Sequence, residues 1–203
     1  MRAPRTVPAV LRSRLLLAGS SGVVAALRLI IVYLVALLLQ LTFFSEVRVA
    51  GVAPELPALV AILAGLLAGP RQGSMIAFGA GLMWDVYLST PLGLAAAAFA
   101  VVAYALGGIT EDLFHDTRIQ TMAMVFAGTA ATVTAYALLG EVVGQRGLVD
   151  ERLLRVVLIA SGLNAGLSLV AAPAMRWALG TRPARSRTRR SQPAAPSMKS
   201  RRP

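Results

Sequence analysis

Three polar side chains stand in or beside long apolar stretches of this chain, Glu55, Asp85 and Asn164, and these are the first places to look for chemistry. A carboxylate at membrane depth is costly unless a partner or water meets it, so Asp85 could serve as a proton-relay group or a catalytic acid. The plainer role is favoured: a structural carboxylate near the outer end of its helix, hydrogen-bonded to a neighbour or wetted from outside. Asn164 reads as a hydrogen-bonding link between helices rather than a substrate ligand. Glu55 lies between Pro54 and Pro57, near an outer mouth. His115 is the single histidine and sits beside Asp116; with no second histidine and no cysteine, it has nothing to form a metal site or a catalytic pair with. Glu111, Asp112 and Asp116 read as a charged loop before a metal cluster. No phosphate-binding glycine loop, nucleophile elbow or zinc motif occurs. The expectation is no enzyme, with no catalytic, metal or cofactor-binding residue and no cofactor.

The element that must position Asp85 is the most informative in the chain. Residues 69–93, GPRQGSMIAFGAGLMWDVYLSTPLG, read as a turn into a membrane helix, the helix, and a turn out of it. Gly73, Ala77, Gly81 and Asp85 recur every four residues and share one side of that helix. Small residues at this spacing let another backbone come close, so this side is expected to face protein, as a helix-packing or partner interface. Gly65 and Gly69 extend the pattern backwards. Gly162 and Gly166 form a weaker pair, and Ala123, Ala127, Ala131 and Ala135 repeat every four residues.

Apolar runs near membrane-crossing length are expected as six spans, at about residues 24–44, 52–68, 73–88, 94–109, 121–139 and 156–179. The segment 140–155 is too charged to span and reads as an outer loop or interfacial helix. The organisation expected is a basic N-terminal tail over 1–22, a six-helix membrane domain over 23–179, and a basic, disordered C-terminal tail over 180–203.

Composition agrees with an all-α integral membrane protein. Of 203 residues 57% are hydrophobic and 14% charged, and the mean hydropathy is +0.70. The net charge of +11 is concentrated at the ends. Residues 1–28 carry five arginines and no acid, and residues 180–203 carry eight basic residues and no acid, which leaves the body at −2. Basic ends on an almost neutral body are a topology signal and not a nucleic-acid surface. Both tails belong in the cytoplasm, so an even number of spans is expected, and the tails are placed to touch anionic lipid.

The central stretch resembles the rod shape-determining MreD family. The pattern is a Gly-Pro turn at Gly69 and Pro70, then Gly73, the step Phe78-Gly79, Gly81-Leu82 with Asp85, and a closing turn at Pro91-Leu92-Gly93. Phenylalanine and glycine stand in reversed order at 78–79. Pro57 and Tyr104 also fit, and the good match covers roughly residues 28–110. The resemblance implies a multi-pass protein of the bacterial cytoplasmic (inner) membrane, working in the cell-wall elongation machinery with MreC, MreB and the cell-wall synthases. It also implies a fold similar to the six-helix substrate-binding (S-component) subunits of vitamin transporters.

Two functions follow. The first is a non-enzymatic membrane scaffold coupling MreC and MreB to peptidoglycan synthesis. The alternative is a transporter substrate-binding subunit for a vitamin-like small molecule. The alternative needs polar and aromatic side chains converging from several helices, and Glu55, Trp84 and Asp85 are few for that. It also needs an A-x-x-x-A docking surface in the first helix, where Ala36 is followed four residues later by Gln40. A membrane enzyme is the weakest reading. A homo-oligomer stays open.

Overall fold

A computed structural model describes residues 9–88, 91–113, 117–145, 147, 149 and 152–180. Apart from one isolated bridge between Val49 and Val52, the regular structure in these residues is helical. The helices are α1 (Ala9–Thr42), α2 (Leu56–Tyr87), α3 (Leu94–Leu113), α4 (Arg118–Val142) and α5 (Leu153–Leu179). The chain is therefore an all-α membrane protein. Gly22–Thr42, Leu56–Tyr87, Arg118–Val142 and Leu153–Leu179 are long and apolar enough to cross a membrane, and Leu94–Thr110 is a shorter apolar helix.

The expected count of six separate helices is corrected to five, because the stretches at 52–68 and 73–88 are joined without a loop. The join is Gly69, whose backbone leaves the helical region at φ 80°, ψ 177°. Glycine reaches positive φ without steric cost, and Pro70 suits the first position of the next helical arm, where no N–H is needed. The arms, 56–68 and 70–87, fold back on each other. A Cβ built on Gly73 would lie 2.5 Å from the Ala64 carbonyl oxygen and from Gly65 Cα. In one straight helix, residues 65 and 73 would stand about 12 Å apart.

Other boundaries moved for local reasons. α1 starts at Ala9, well before the expected start near residue 24, so part of the expected N-terminal tail is helical. Gly19-Ser20-Ser21-Gly22 does not break it, because glycine costs a helix only about 1 kcal/mol per residue and serine less. α3 runs on to Leu113 and α4 begins at Arg118, which leaves a shorter connection than the charged loop read over 110–120. His115 and Asp116 lie outside the described residues, as do residues 1–8 and 181–203 of the two basic tails.

α2 and α3 make the most extensive helix contact in the molecule. Their shared interior is built of alanines: Ala58, Ala61, Ala77, Ala95, Ala98 and Ala103, with Phe99. A second cluster, with larger side chains such as Leu59, Leu63, Val125 and Met175, joins α1, α4 and α5 to the first arm of α2. The outer surfaces are apolar too: Val23, Val86, Val101, Ile119 and Val170 are all well exposed. An apolar interior inside an apolar exterior is the pattern of a bundle solvated by lipid.

Candidate functional site

Three glycines decide how closely α2 and α3 approach, and a fourth how closely the two arms of α2 do. A Cβ on Gly65 would stand 2.5 Å from the Ala103 carbonyl oxygen, and one on Gly107 would stand 2.5 Å from Pro70 N. A Cβ on Gly81 would overlap Ala96 Cα, and Gly73 meets the first arm as described above. Each obstacle is backbone, which cannot rotate away. The pairings 81 with 96 and 107 with 70 run α3 antiparallel to the second arm, and 65 with 103 runs it parallel to the first. The expected seam of Gly73, Ala77, Gly81 and Asp85 is buried along its whole length, as is Gly65. It is filled by the chain's own helices.

The polar side chains lie in a layer at the other end of these helices from the Gly69 turn. Asp85 is 1% exposed, and its carboxylate accepts three backbone N–H bonds: from Gly93 (2.9 Å) and Ala96 (3.1 Å) on Oδ2, and from Ala95 (2.9 Å) on Oδ1. Gly93 is the residue just before α3, so Ala95 and Ala96 are the donors that a capping side chain at position 93 would serve. Asp85 performs that job from a neighbouring helix, and Gly93 is left free to take φ 99°. Leu94 N donates to Pro91 O at 3.3 Å, so the orphan donors of this terminus are met. The carboxylate also faces the positive end of the helix dipole.

The start of α2 is held by the same device, with neutral side chains. Leu56 N donates to Gln40 Oε1 of α1 at 2.8 Å. Glu55 N donates to Asn164 Oδ1, and Asn164 Nδ2 donates back to the Glu55 carbonyl, both at 3.1 Å. Asn164 Nδ2 also reaches Thr129 Oγ1 of α4 at 3.3 Å. The Glu55 side chain makes no capping bond; its main chain is what the site uses. Tyr33 of α1 donates its hydroxyl to Ala80 O at 2.6 Å, tying α1 to the second arm. Among the described residues, Ser161 Oγ is the one buried side-chain polar atom without a partner.

Sequence reasoning singled out Asp85, Asn164 and Glu55, and the structure brings Asn164 and Glu55 into contact. It did not pair Gln40 with the start of α2, and it missed Thr129, Tyr33 and Gly107. Gln40 was legible as a polar residue late in a span, but its partner was not. Thr129 is buried, while of the four-residue alanine repeat Ala123, Ala127 and Ala131 are exposed and Ala135 is half-buried against the core. Gly162 and Gly166 face outward, with nothing within 4 Å of a Cβ built on either. Trp84 stacks on Tyr87 at 5.5 Å and joins no polar cluster. Among the described residues no group of three His, Cys, Asp or Glu could hold a metal ion.

The opposite end of the bundle carries arginines. The Arg28 guanidinium lies 5.0 Å from the Trp177 ring centre, which joins the start of the apolar part of α1 to the end of α5. Arg71 follows the Gly69 turn, and Arg118 and Arg176 share a polar cleft between α4 and α5. Two recesses beside α1 are apolar instead: one of about 520 Å³ lies against the second arm of α2, and one of about 460 Å³ lies between α1, α2 and α5, walled by residues such as Val35, Phe44, Leu63 and Met175.

Residues 21–149, more than half of the chain, match the family model described as rod shape-determining protein MreD. No curated protein and no solved structure matches the chain.

Proposed function

The chain belongs to the MreD family, multi-pass proteins of the bacterial inner membrane with a role in rod-shape determination, and from that premise we propose that it is a non-enzymatic scaffold of the cell-wall elongation machinery. In this reading it couples MreC and the cytoplasmic MreB filaments to the peptidoglycan synthases. The observation that carries it is how the polar groups are used. Asp85, Asn164 and Gln40 all bind backbone groups at helix ends, so they build a shape and do not converge on a substrate. The recess between α1, α2 and α5 offers almost no polar surface, which speaks against recognition of a vitamin-like molecule.

The proposed topology counts each arm of α2 and the short α3 as separate crossings, six in all, with both termini in the cytoplasm. Sixteen of the twenty basic residues lie in the two end segments or at the Arg71, Arg118 and Arg176 end, which is then the cytoplasmic end. On α5, Asn164 stands 13 residues before Trp177, about 20 Å along the axis. In a hydrocarbon core of about 30 Å, the capping layer then sits in the outer half. The basic tails serve orientation and loose contact with anionic lipid. Gly65, Gly69, Gly73, Ala77, Gly81 and Asp85 act on partners through the shape they give the bundle, since they are covered by α3 and by each other's arm.

The test is co-purification. The full chain, extracted in mild detergent, should bring MreC with it, and its depletion from a rod-shaped host should round the cells. Normal rods after depletion, or a small molecule retained through purification in place of MreC, would overturn the scaffold reading.

A further inference from the structure

We propose that the Glu55 carboxyl group, together with the side-chain amide of Gln40, receives an alkylammonium or guanidinium group that reaches the bundle from its outer side. Asp85, Asn164 and Gln40 each bind main-chain groups at helix ends, and the Glu55 side chain does not. Its main chain is pinned by Asn164 in both directions, at 3.1 Å each. Its carboxyl group has no hydrogen-bond or ion-pair partner among the described residues. Gln40 is 9% exposed. Its Oε1 accepts from Leu56 N at 2.8 Å, which fixes the orientation of the amide, and its Nε2 has no partner among the described residues.

Neither group is sealed in. Ser161 Oγ is the one fully buried side-chain polar atom without a partner among the described residues. The unpartnered oxygens of Glu55 and the Nε2 of Gln40 therefore border accessible space, and Glu55 as a whole is half-buried. The two side chains belong to one neighbourhood, since Gln40 bonds the residue that follows Glu55. Buried Pro54 and Pro57 and the two bonds to Asn164 hold the Glu55 main chain, so the carboxyl group is presented from a fixed point.

Charge decides the class of ligand. A carboxylate at membrane depth is costly until a positive group or water meets it, and a cation hydrogen-bonds it more strongly than a neutral donor does. The chain supplies no such cation: Arg28, Arg118 and Arg176 lie at the opposite end of the bundle, and Arg48, exposed in the loop before α2, makes no ion pair with Glu55. Gln40 Nε2 adds a donor beside the carboxylate, which matches the carbonyl of a chain that carries the cation. One carboxylate and one amide make a contact point, and they are few for enclosing a free molecule. The source is therefore a basic side chain of a polypeptide, whose own structure supplies the rest of the contact. That choice of source rests on the scaffold reading, and the site itself does not.

The test uses the full chain in detergent micelles, with glutamate carboxyl carbons and glutamine side-chain amides isotope-labelled and followed by NMR. The probe is the acetylated and amidated tripeptide Ala-Arg-Ala, with its citrulline analogue as the neutral isostere. The arginine peptide should shift the Glu55 and Gln40 signals together and saturably, at concentrations that leave exposed Glu46 unmoved. The citrulline peptide should bind about tenfold more weakly, and butylguanidinium, which has no carbonyl for Gln40, about fivefold more weakly. Glu55→Gln, which keeps the main-chain bonds to Asn164, should abolish the movement of the Gln40 signal. If that variant does not fold, the comparison of arginine with citrulline on the wild-type chain carries the test. No saturable shift at Glu55, equal affinity for the two peptides, or a Gln40 shift that persists in Glu55→Gln overturns the site. Butylguanidinium binding as tightly as the arginine peptide marks a free-amine site and overturns the polypeptide source. These measurements contain no MreC or MreB, so a failure here is separable from a failure of MreC co-purification.

Discussion

Gly73 and Gly81 on α2, and Gly162 and Gly166 on α5, are both sets of glycines at helical spacing, yet their surroundings are opposite. A Cβ added at Gly81 meets the backbone of α3, while one added at Gly162 or Gly166 meets open space. The difference lies in what surrounds each helix. The second arm of α2 has an alanine-rich helix on one side and its own first arm on another, so Gly73, Ala77 and Gly81 are consumed within the chain. α5 turns Asn164, Ser168 and Ala172 inward and presents Gly162 and Gly166 to the outside. Small-residue spacing therefore reports that a close approach is possible, and says nothing about whether the approaching helix belongs to the same molecule.

The largest effect is expected where backbone faces backbone. Gly81→Leu should destabilise the isolated chain by about 3 kcal/mol or more, because α3 must move away. Unfolding temperature and monodisperse yield in detergent measure it; a variant as stable as the wild type would break the contrast with α5. Next comes the cap. Asp85→Ala leaves Gly93 N and two donors in the first turn of α3 without an acceptor and should cost about 2–4 kcal/mol. Asp85→Asn keeps one acceptor oxygen and should cost about 1–2 kcal/mol. If Asn matches Asp, the negative charge contributes nothing and the side chain is only a strut.

A smaller loss, about 1–2 kcal/mol, is expected for Asn164→Leu, which removes both bonds to Glu55. Amide hydrogen exchange around Glu55 and Leu56 should quicken in step, and exchange that stays at the wild-type rate would show that Gln40 suffices. Last, Gly166→Leu should leave the stability of the isolated chain unchanged or raise it by up to about 1 kcal/mol, since leucine favours helix and nothing blocks it. That sign, opposite to Gly81→Leu, is the sharpest form of the comparison. If Gly166→Leu also abolishes MreC co-purification, the exposed pair belongs to a partner surface.

Most of the element boundaries were legible because lipid imposes a strong rule: apolar runs must be helical there, and charged stretches must end them. The join at Gly69 was read as a turn from Gly-Pro-Arg, and it is one, but so tight that hydrogen-bonded helix continues on both sides. Asp85 was legible as a structural carboxylate, either hydrogen-bonded to a neighbour or wetted from outside; which of the two, and its partners, were not. They lie 8 to 11 residues later in the chain, and they are backbone groups, which carry no residue-type signal. The same holds for Gln40 and Asn164, whose partners at Glu55 and Leu56 are main-chain atoms.

The sequence by itself determined a membrane protein, its apolar runs, the turn residues between them and the concentration of basic charge at its ends, because these depend on side-chain solvation and local backbone preference. The tertiary structure alone decided which glycines are closed over and which are open, which helix terminus each polar side chain caps, and that two arginines 58 residues apart share one cleft. Those outcomes depend on which helices become neighbours, and that is settled by the fit of whole surfaces against one another.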